Sequence, residues 1–156
     1  MRNTFANLLY NEMEKNTDIY VIVGDVGFGV FDKIRDRYPD RFFNPGAAEQ
    51  LIVGLATGLA MEGKIPIIYS ITPFILYRPF EFIRNLVNKE NIPVKIVGSG
   101  RDQDYGALGF SHYATDDEEV FSAFENIKIY KPNLPEEIDL NEILYNNKPC
   151  YLNLKR

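Results

Sequence analysis

The chain has 156 residues, of which 46% are hydrophobic and 25% are charged, so it can bury the core of one domain but leaves little room for a second. Its 22 acidic and 17 basic residues give a net charge of −5, which argues against nucleic acid or an anionic membrane as a partner. The single cysteine, Cys150, cannot form an intramolecular disulfide, and neither a signal peptide nor a membrane-spanning run is visible. We therefore expect one soluble, cytoplasmic domain over residues 1–156, with Cys150 in its core.

Apolar segments bounded by turn residues alternate with helical patterns along the chain. In chain order the expected elements are a helix at 2–15, a strand at 19–24, helices at 30–37 and 47–62, a strand at 65–71, a helix at 74–88, a strand at 93–100, a helix at 116–124, a strand at 127–132, a helix at 135–145 and a strand at 150–154. Most strand segments are continuously apolar, which is typical of strands buried on both faces. The pattern predicts an α/β domain with a doubly wound, mostly parallel sheet and helices on both faces.

Two glycine-rich segments are similar to phosphate-binding motifs but do not fit them. Residues 58–65, GLAMEGKI, match most of the P-loop pattern, but Ile65 replaces its hydroxyl residue, and the segment joins a helix to a strand rather than a strand to a helix. Residues 24–29, GDVGFG, follow a strand but lack the dinucleotide spacing G-x-G-x-x-G. Asp25 stays a candidate, because open α/β sheets bind ligands at the carboxyl ends of their strands.

The segment 47–62, AAEQLIVGLATGLAME, is apolar on nearly all sides of a helix, so we expect it to be buried on most faces. Gly54 and Gly58 lie four residues apart, on one face. Each destabilises a helix by about 1 kcal/mol relative to alanine, a cost that close approach of another backbone usually offsets. The pattern predicts a helix-to-helix contact here, within the chain or between chains.

The only histidine, His112, lies in a glycine-bounded loop, where either a ligand contact or the capping of a turn is open to it. Tyr105 and Arg101 precede it in the same loop, and we expect them near a ligand or in water. One histidine and one cysteine cannot supply the usual zinc ligands, so no metal site is predicted. His112 also lacks the G-x-S-x-G elbow that would accompany a serine nucleophile.

Residues 42–70, FFNPGAAEQLIVGLATGLAMEGKIPIIYS, form the most informative segment. The segment resembles the pyrimidine-binding domain of transketolases and deoxyxylulose-phosphate synthases, in which an AEQ motif opens a helix of small residues. Residues 71–84, ITPFILYRPFEFIR, are similar to the family's segment of aromatics and arginine. Residues 93–100 and 105–117 are similar to its IVGSG and histidine-containing stretches. The resemblance covers nearly the whole chain.

The resemblance implies that thiamin diphosphate is the cofactor, and that Glu49 of the AEQ motif hydrogen-bonds its pyrimidine ring and activates it. Position alone explains Glu49 more simply, because the helix dipole favours an acid in the first turn by about 0.3–1 kcal/mol. Phe74 is expected to stack on the pyrimidine with Ile71 beside it, although Phe74 could equally be an ordinary core aromatic. Asp25 and Tyr77 complete the cofactor-binding set that the resemblance implies.

Three of these residues are also expected to meet the substrate. The resemblance implies that His112 contacts a substrate hydroxyl or carbonyl oxygen, together with Arg78 and Asp25, and that Glu49 and His112 are the catalytic residues. Two alternatives stay open from the residues themselves. Arg78 could form a salt bridge between subunits, and Asp25 could be a turn or N-cap residue.

Full-length transketolases also have a C-terminal domain and a diphosphate-binding domain, whose G-D-G and N-N motif binds magnesium. Neither domain is expected in this chain, because GDVGFG is not followed by N-N at the family's spacing. The resemblance implies one subunit of a split transketolase, with Mg²⁺ and the diphosphate bound by a separate subunit in a dimer of heterodimers. The expected reaction moves a two-carbon ketol unit from a ketose phosphate to an aldose. A deoxyxylulose-phosphate-synthase-like or other thiamin-dependent decarboxylating activity, or a non-catalytic interaction module of the same fold, are the alternatives.

Overall fold

The computed structural model describes residues Met1–Arg156 as one six-stranded sheet covered by helices. The strands are β1 (Ile19–Val23), β2 (Phe42–Phe43), β3 (Ile65–Ile71), β4 (Lys95–Ser99), β5 (Lys128–Tyr130) and β6 (Cys150–Leu154). They lie in the order β2-β1-β3-β4-β6-β5, and every neighbouring pair is parallel. The predicted doubly wound parallel sheet is confirmed. Only β2 is unexpected, because two residues paired with Val21 and Ile22 are too few to give a periodic signal.

Seven α-helices connect the strands. They are α1 (Arg2–Lys15), α2 (Asp32–Arg37), α3 (Glu49–Met61), α4 (Thr72–Tyr77), α5 (Phe80–Phe82), α6 (Asp117–Ser122) and α7 (Leu140–Tyr145). Short 3₁₀ turns lie at Pro39–Arg41, Gly106–Leu108, Phe110–His112 and Pro135–Glu137, and a π-helix at Ile83–Lys89. No helix is long and apolar enough to cross a membrane.

Two of the expected helices have different limits in the structure. The helix predicted at 74–88 begins at Thr72 and is interrupted at Pro79, which lacks an N–H for the helical ladder, before α5 runs into the π-helix. The helix predicted at 135–145 is a 3₁₀ turn followed by α7. Asp139 explains the second start, because its carboxylate caps α7 by accepting a hydrogen bond from the Glu142 N–H at 3.0 Å.

The core consists of two apolar layers, one on each face of the sheet. Side chains of α1, α2 and α7 fill one layer, and side chains of α3, α4, the π-helix and α6 fill the other. Neighbouring strand residues alternate between the layers, as Val21 and Ile22 do. Cys150 is buried in the first layer, as predicted, and burial raises the pKa of its thiol to about 12.

One face of α3 is not covered by the rest of the chain, so the prediction that this helix is buried on most sides holds for only part of it. Leu51, Leu55 and Met61 are exposed by 57%, 37% and 73% along this face. Gly58, on the same face, has open space where a Cβ would be, and Gly54 has only one aromatic side chain at 3.8 Å. The two glycines therefore make no close helix contact within the chain.

The carboxyl ends of β1, β3 and β4 lie side by side at one edge of the sheet. The chain leaves β1 toward β2 on one side and returns to β3 on the other, so the switch point lies between β1 and β3. Three segments leave this edge: the turn at 24–31, helix α4, and the loop at 100–116. Gly100 begins that loop at φ 88°, where a Cβ would lie 2.4 Å from the Tyr105 ring.

Candidate functional site

Glu49 is a buried carboxylate at the first turn of α3, with 3% of the residue exposed. Arg78, just past the end of α4, donates a hydrogen bond from Nη1 to Glu49 Oε1 at 2.7 Å. The second carboxylate oxygen, Oε2, accepts no hydrogen bond. Glu49 and Arg78 line a cavity of about 300 Å³ together with residues 47, 48, 50 and 51. The structure thus pairs two predicted site residues within one chain, a contact that the sequence did not predict.

Phe74 lies against Arg78 on one side and His112 on the other. The Arg78 Cζ atom is 3.8 Å from the centroid of the Phe74 ring, because Arg78, the C-cap of α4, continues the helical backbone four residues after Phe74 and so lies on the same face. The Phe74 and His112 rings meet edge to face, with centroids 4.9 Å apart and an interplanar angle of 66°. The order Glu49, Arg78, Phe74, His112 therefore forms one continuous row of contacts.

His112 ends the short 3₁₀ turn of the loop at 100–116 and is half-buried. Its Nδ1 lies 3.0 Å from the Ser111 hydroxyl, whereas Nε2 has no hydrogen bond. The Tyr105 ring is 6.3 Å from the His112 ring between centroids. His112 thus packs among aromatic rings and keeps one nitrogen available to a ligand.

A second cavity, of about 250 Å³, opens at the carboxyl ends of β1, β3 and β4. Its lining includes two predicted site residues, Asp25 and Ile71. The other lining residues are Arg2, Val26, Gly27, Phe28, Tyr69, Ser99 and Tyr105. Asp25 has a left-handed backbone, at φ 53°, and its N–H donates to the Asn44 side chain at 3.1 Å. The strand end therefore places Asp25 where the sequence expected it, and Asn44 fixes the turn.

Tyr105 contacts two arginines, Arg2 and Arg156, that the sequence did not single out. Its hydroxyl lies 3.0 Å from Ser99 Oγ and accepts a hydrogen bond from Arg2 Nη1 at 3.3 Å. The Arg156 guanidinium lies over its ring, 4.8 Å from the centroid. Nearby, the buried Tyr69 hydroxyl makes no hydrogen bond, and burial raises its pKa. The sequence could have indicated both arginines. Arg2 begins α1 and Arg156 follows β6, and both of these ends lie at the carboxyl edge of the sheet.

Two other predicted positions lie outside this row of contacts. Arg101 is not in water and lines neither cavity: it is 3% exposed and donates to Asn153 and to the Pro132 carbonyl. Tyr77 is 42% exposed and lines neither cavity described above. Desolvation and the neighbouring Asp116 carboxylate raise the pKa of Tyr77. The structure therefore brings together Glu49 and its row of contacts, and leaves Arg101 and Tyr77 out of that row.

Comparison with known proteins gives one consistent result. A family model described as the transketolase pyrimidine-binding domain matches residues 1–156. The chain is 39% identical over 138 residues to an apulose-4-phosphate transketolase subunit of Actinobacillus succinogenes, covering 88% of this chain and 44% of that protein. It is 34% identical over 133 residues to a "putative transketolase C-terminal section" of Methanocaldococcus jannaschii, covering 85% and 42%.

A solved structure extends the comparison to the fold. A split-gene transketolase, solved as an inactive beta4 tetramer, superposes with a TM-score of 0.86 at 28% identity, covering 99% of this chain and 51% of that one. The chain thus spans about half the length of the relatives it matches.

Proposed function

The chain belongs to the transketolase family, as a pyrimidine-binding domain, and from this membership we propose that it forms one half of a thiamin diphosphate-dependent active site. A separate subunit would supply the other half, with the sites for Mg²⁺ and the diphosphate, in a dimer of heterodimers. The reaction would be transfer of a two-carbon ketol unit from a ketose phosphate to an aldose. The names of the relatives support the division, since one is a transketolase subunit and another a split-gene transketolase.

The buried carboxylate of Glu49 is the observation that carries this proposal. A ring nitrogen of an aminopyrimidine can form a hydrogen bond with a carboxyl group when the two share a proton, and the flat faces of the ring pack on aromatic side chains. Glu49 Oε2 is without a partner, and the residue lines a cavity. Phe74, half-buried, is in direct contact with Arg78, the partner of Glu49. These residue types fit the pyrimidine end of the cofactor.

Bound thiamin diphosphate would supply the nucleophilic carbon that carries the two-carbon unit. Glu49 would hold a hydrogen bond to a ring nitrogen, in a buried position where such bonds are strong. Arg78 would fix the orientation of that carboxylate through its bond to Oε1, and would thereby hold Oε2 in a single orientation toward the ring. Phe74 would hold the ring, and Ile71 and Asp25 would line the neighbouring cavity.

The second cavity supports a place for the substrate. Arg2 and Arg156 approach Tyr105 from two sides, and guanidinium groups bind phosphate oxygens well. His112 lies between this group and Phe74, with Nε2 available. We propose that His112 contacts a hydroxyl or carbonyl oxygen of the sugar while the two arginines bind its phosphate.

The uncovered face of α3 supports the need for a partner. Leu51, Leu55 and Met61 are exposed there, and Gly58 leaves room for another backbone. The same helix begins with Glu49, so a subunit that covers this face would also approach the cofactor cavity. We propose that the diphosphate-binding subunit packs on this face.

Co-expression with a subunit that carries the diphosphate-binding motif tests the proposal. Thiamin diphosphate and Mg²⁺ would be titrated calorimetrically into this chain alone and into the complex, and ketol transfer would be assayed from a ketose phosphate. We expect tight cofactor binding and transfer only in the complex. Equally tight binding by this chain alone would contradict a shared site, and a complex that uses pyruvate but no ketose phosphate would favour the decarboxylating alternative.

Variants of Glu49 separate an active half-site from a non-catalytic module. In the complex, Glu49→Gln should abolish turnover while assembly is kept, because the amide cannot replace the carboxylate. Glu14→Gln, an exposed change on α1, on the opposite face of the sheet from α3, is the matched control and should leave turnover unchanged. Full turnover by Glu49→Gln would contradict the assignment of Glu49 as a catalytic residue.

A further inference from the structure

The loop at 100–116 carries both Tyr105 and His112, and its base is closed by the backbone. The Ala114 N–H donates to the Asp102 carbonyl at 2.8 Å, in an isolated antiparallel bridge. Two charged side chains flank this bridge in the sequence. Arg101 comes directly before Asp102, and Asp117 comes directly after the loop. Each is only 3% exposed, although neither contacts the other directly.

Asn153 of β6 stands between these two charges and is fully buried. The Arg101 Nε donates to Asn153 Oδ1 at 2.8 Å, and Asn153 Nδ2 donates to Asp117 Oδ2. Only this orientation of the amide gives an acceptor to the guanidinium and a donor to the carboxylate. The two ends of the loop are therefore joined through one side chain of the sheet.

Further hydrogen bonds tie this network to the framework. Arg101 Nη2 donates to the Asn153 carbonyl at 2.7 Å and to the Pro132 carbonyl at 2.5 Å. Asp117 accepts a hydrogen bond from the Tyr151 hydroxyl at 2.5 Å, and the Tyr151 ring stacks on Phe121 at 3.8 Å. Both charged groups of the network thus make hydrogen bonds to neutral polar groups, which buried charges need.

We propose that Asn153 is a positioning residue that, by bridging Arg101 and Asp117, holds the loop so that His112 stays against Phe74. The catalytic side of this inference rests on the proposed function, whereas the structural side concerns the chain alone. A neutral amide suits the position, because a carboxylate at 153 would face Asp117 and an apolar side chain would leave both charges without their bridge.

The single histidine makes this testable without cofactor or partner. The ring proton and carbon signals of His112 are the only histidine signals of the chain, and contact with the Phe74 ring shifts them. Asn153→Leu removes the hydrogen bonds to both charges at similar volume, and Asp117→Ala removes the carboxylate that accepts the Asn153 amide. In both variants we expect the His112 signal to move toward that of a free histidine, and amide exchange at residues 102–116 to rise by about tenfold or more.

Lys95→Met is the matched control. Lys95 is also a buried charge on a central strand, bonded to Asn146 at 2.8 Å and to the Lys148 carbonyl at 2.6 Å, but at the opposite end of the strands. The Lys95→Met variant should have a lower Tm but an unchanged His112 signal. If Asn153→Leu does not fold, Asp117→Ala tests the inference. An unchanged His112 signal and unchanged loop exchange in folded variants would overturn the inference.

The reconstituted complex gives a second readout. With Asp117→Ala we expect kcat to fall severalfold while the Kd for thiamin diphosphate stays within twofold of the wild type (roughly 0.4 kcal/mol). A fall in cofactor affinity equal to the fall in kcat would contradict a role through His112. Failure of the complex to catalyse ketol transfer would count against the proposed function, while the His112 signal would still decide the inference about Asn153.

Discussion

Arg78 donates a hydrogen bond to Glu49 across 2.7 Å, and this contact joins the end of α4 to the start of α3. The partners differ in burial, since 2% of the Glu49 side chain and 45% of the Arg78 side chain are exposed. The carboxylate depends on the arginine for its only hydrogen bond, whereas the arginine can reach water. Loss of the arginine should therefore leave the carboxylate without a hydrogen bond, whereas loss of the carboxylate should leave the arginine able to bind water.

Arg78→Met should lower the free energy of unfolding by about 1–2 kcal/mol, because it leaves a buried carboxylate without a partner while half of the lost cation was solvated. Urea denaturation measures the change. Arg35→Met is the control, since Arg35 pairs with Asp32 and Asp36 on the surface, and it should change the free energy of unfolding less than Arg78→Met does. Equal losses for the two variants would show that burial of Glu49 has no energetic weight.

Phe74→Ala should weaken cofactor binding in the complex by about tenfold or more, because Phe74 packs against both Arg78 and His112. Calorimetric titration with thiamin diphosphate measures the change. Phe110→Ala truncates an aromatic that is 84% exposed in the same region and should leave the affinity unchanged. If the two variants bind alike, Phe74 is only a core aromatic.

Leu55→Glu should weaken assembly with the diphosphate-binding subunit at least about tenfold, because it places a charge on the uncovered face of α3. Sedimentation of the mixed subunits measures assembly. Leu134→Glu changes an apolar residue that is more exposed, by 58% against 37% for Leu55, but is far from α3 in the chain, and it should have no effect. Normal assembly by Leu55→Glu would move the interface elsewhere.

The free energy of unfolding should fall as pH rises above 9, in part because of Cys150. Its thiol has a pKa near 9.0 when exposed and about 12 when folded, so the unfolded chain loses that proton first. The stabilisation is complete below pH 9 and declines toward a slope of ~1.4 kcal/mol per pH unit above it. Cys150→Ala should remove this part of the slope between about pH 9 and 10, before tyrosines ionise. Denaturation at several pH values compares the two, and identical slopes would contradict the assignment.

Features that rest on local pattern were predictable from the sequence, and contacts between distant residues were not. Continuous apolar runs predicted five of the six strands, and the AEQ motif singled out Glu49. The Glu49–Arg78 pair joins residues 29 apart, and the Arg101–Asn153 bond joins residues 52 apart, so no local pattern reports them. Arg101 was predicted near a ligand or in water for the same reason. A charged residue in a loop gives no sign of the buried strand residue that binds it.

The closed base of the loop at 100–116 also makes this segment exchangeable. Because Asp102 and Ala114 are bonded backbone to backbone, residues 103–113 begin and end at nearly the same point in space. A segment with this geometry can be grafted between related domains without altering the strands beneath it, provided that Arg101, Asn153 and Asp117 are retained. Under the proposed function, exchanging this one short peptide would change the contacts that Tyr105 and His112 make while the uncovered face of α3 stays the same.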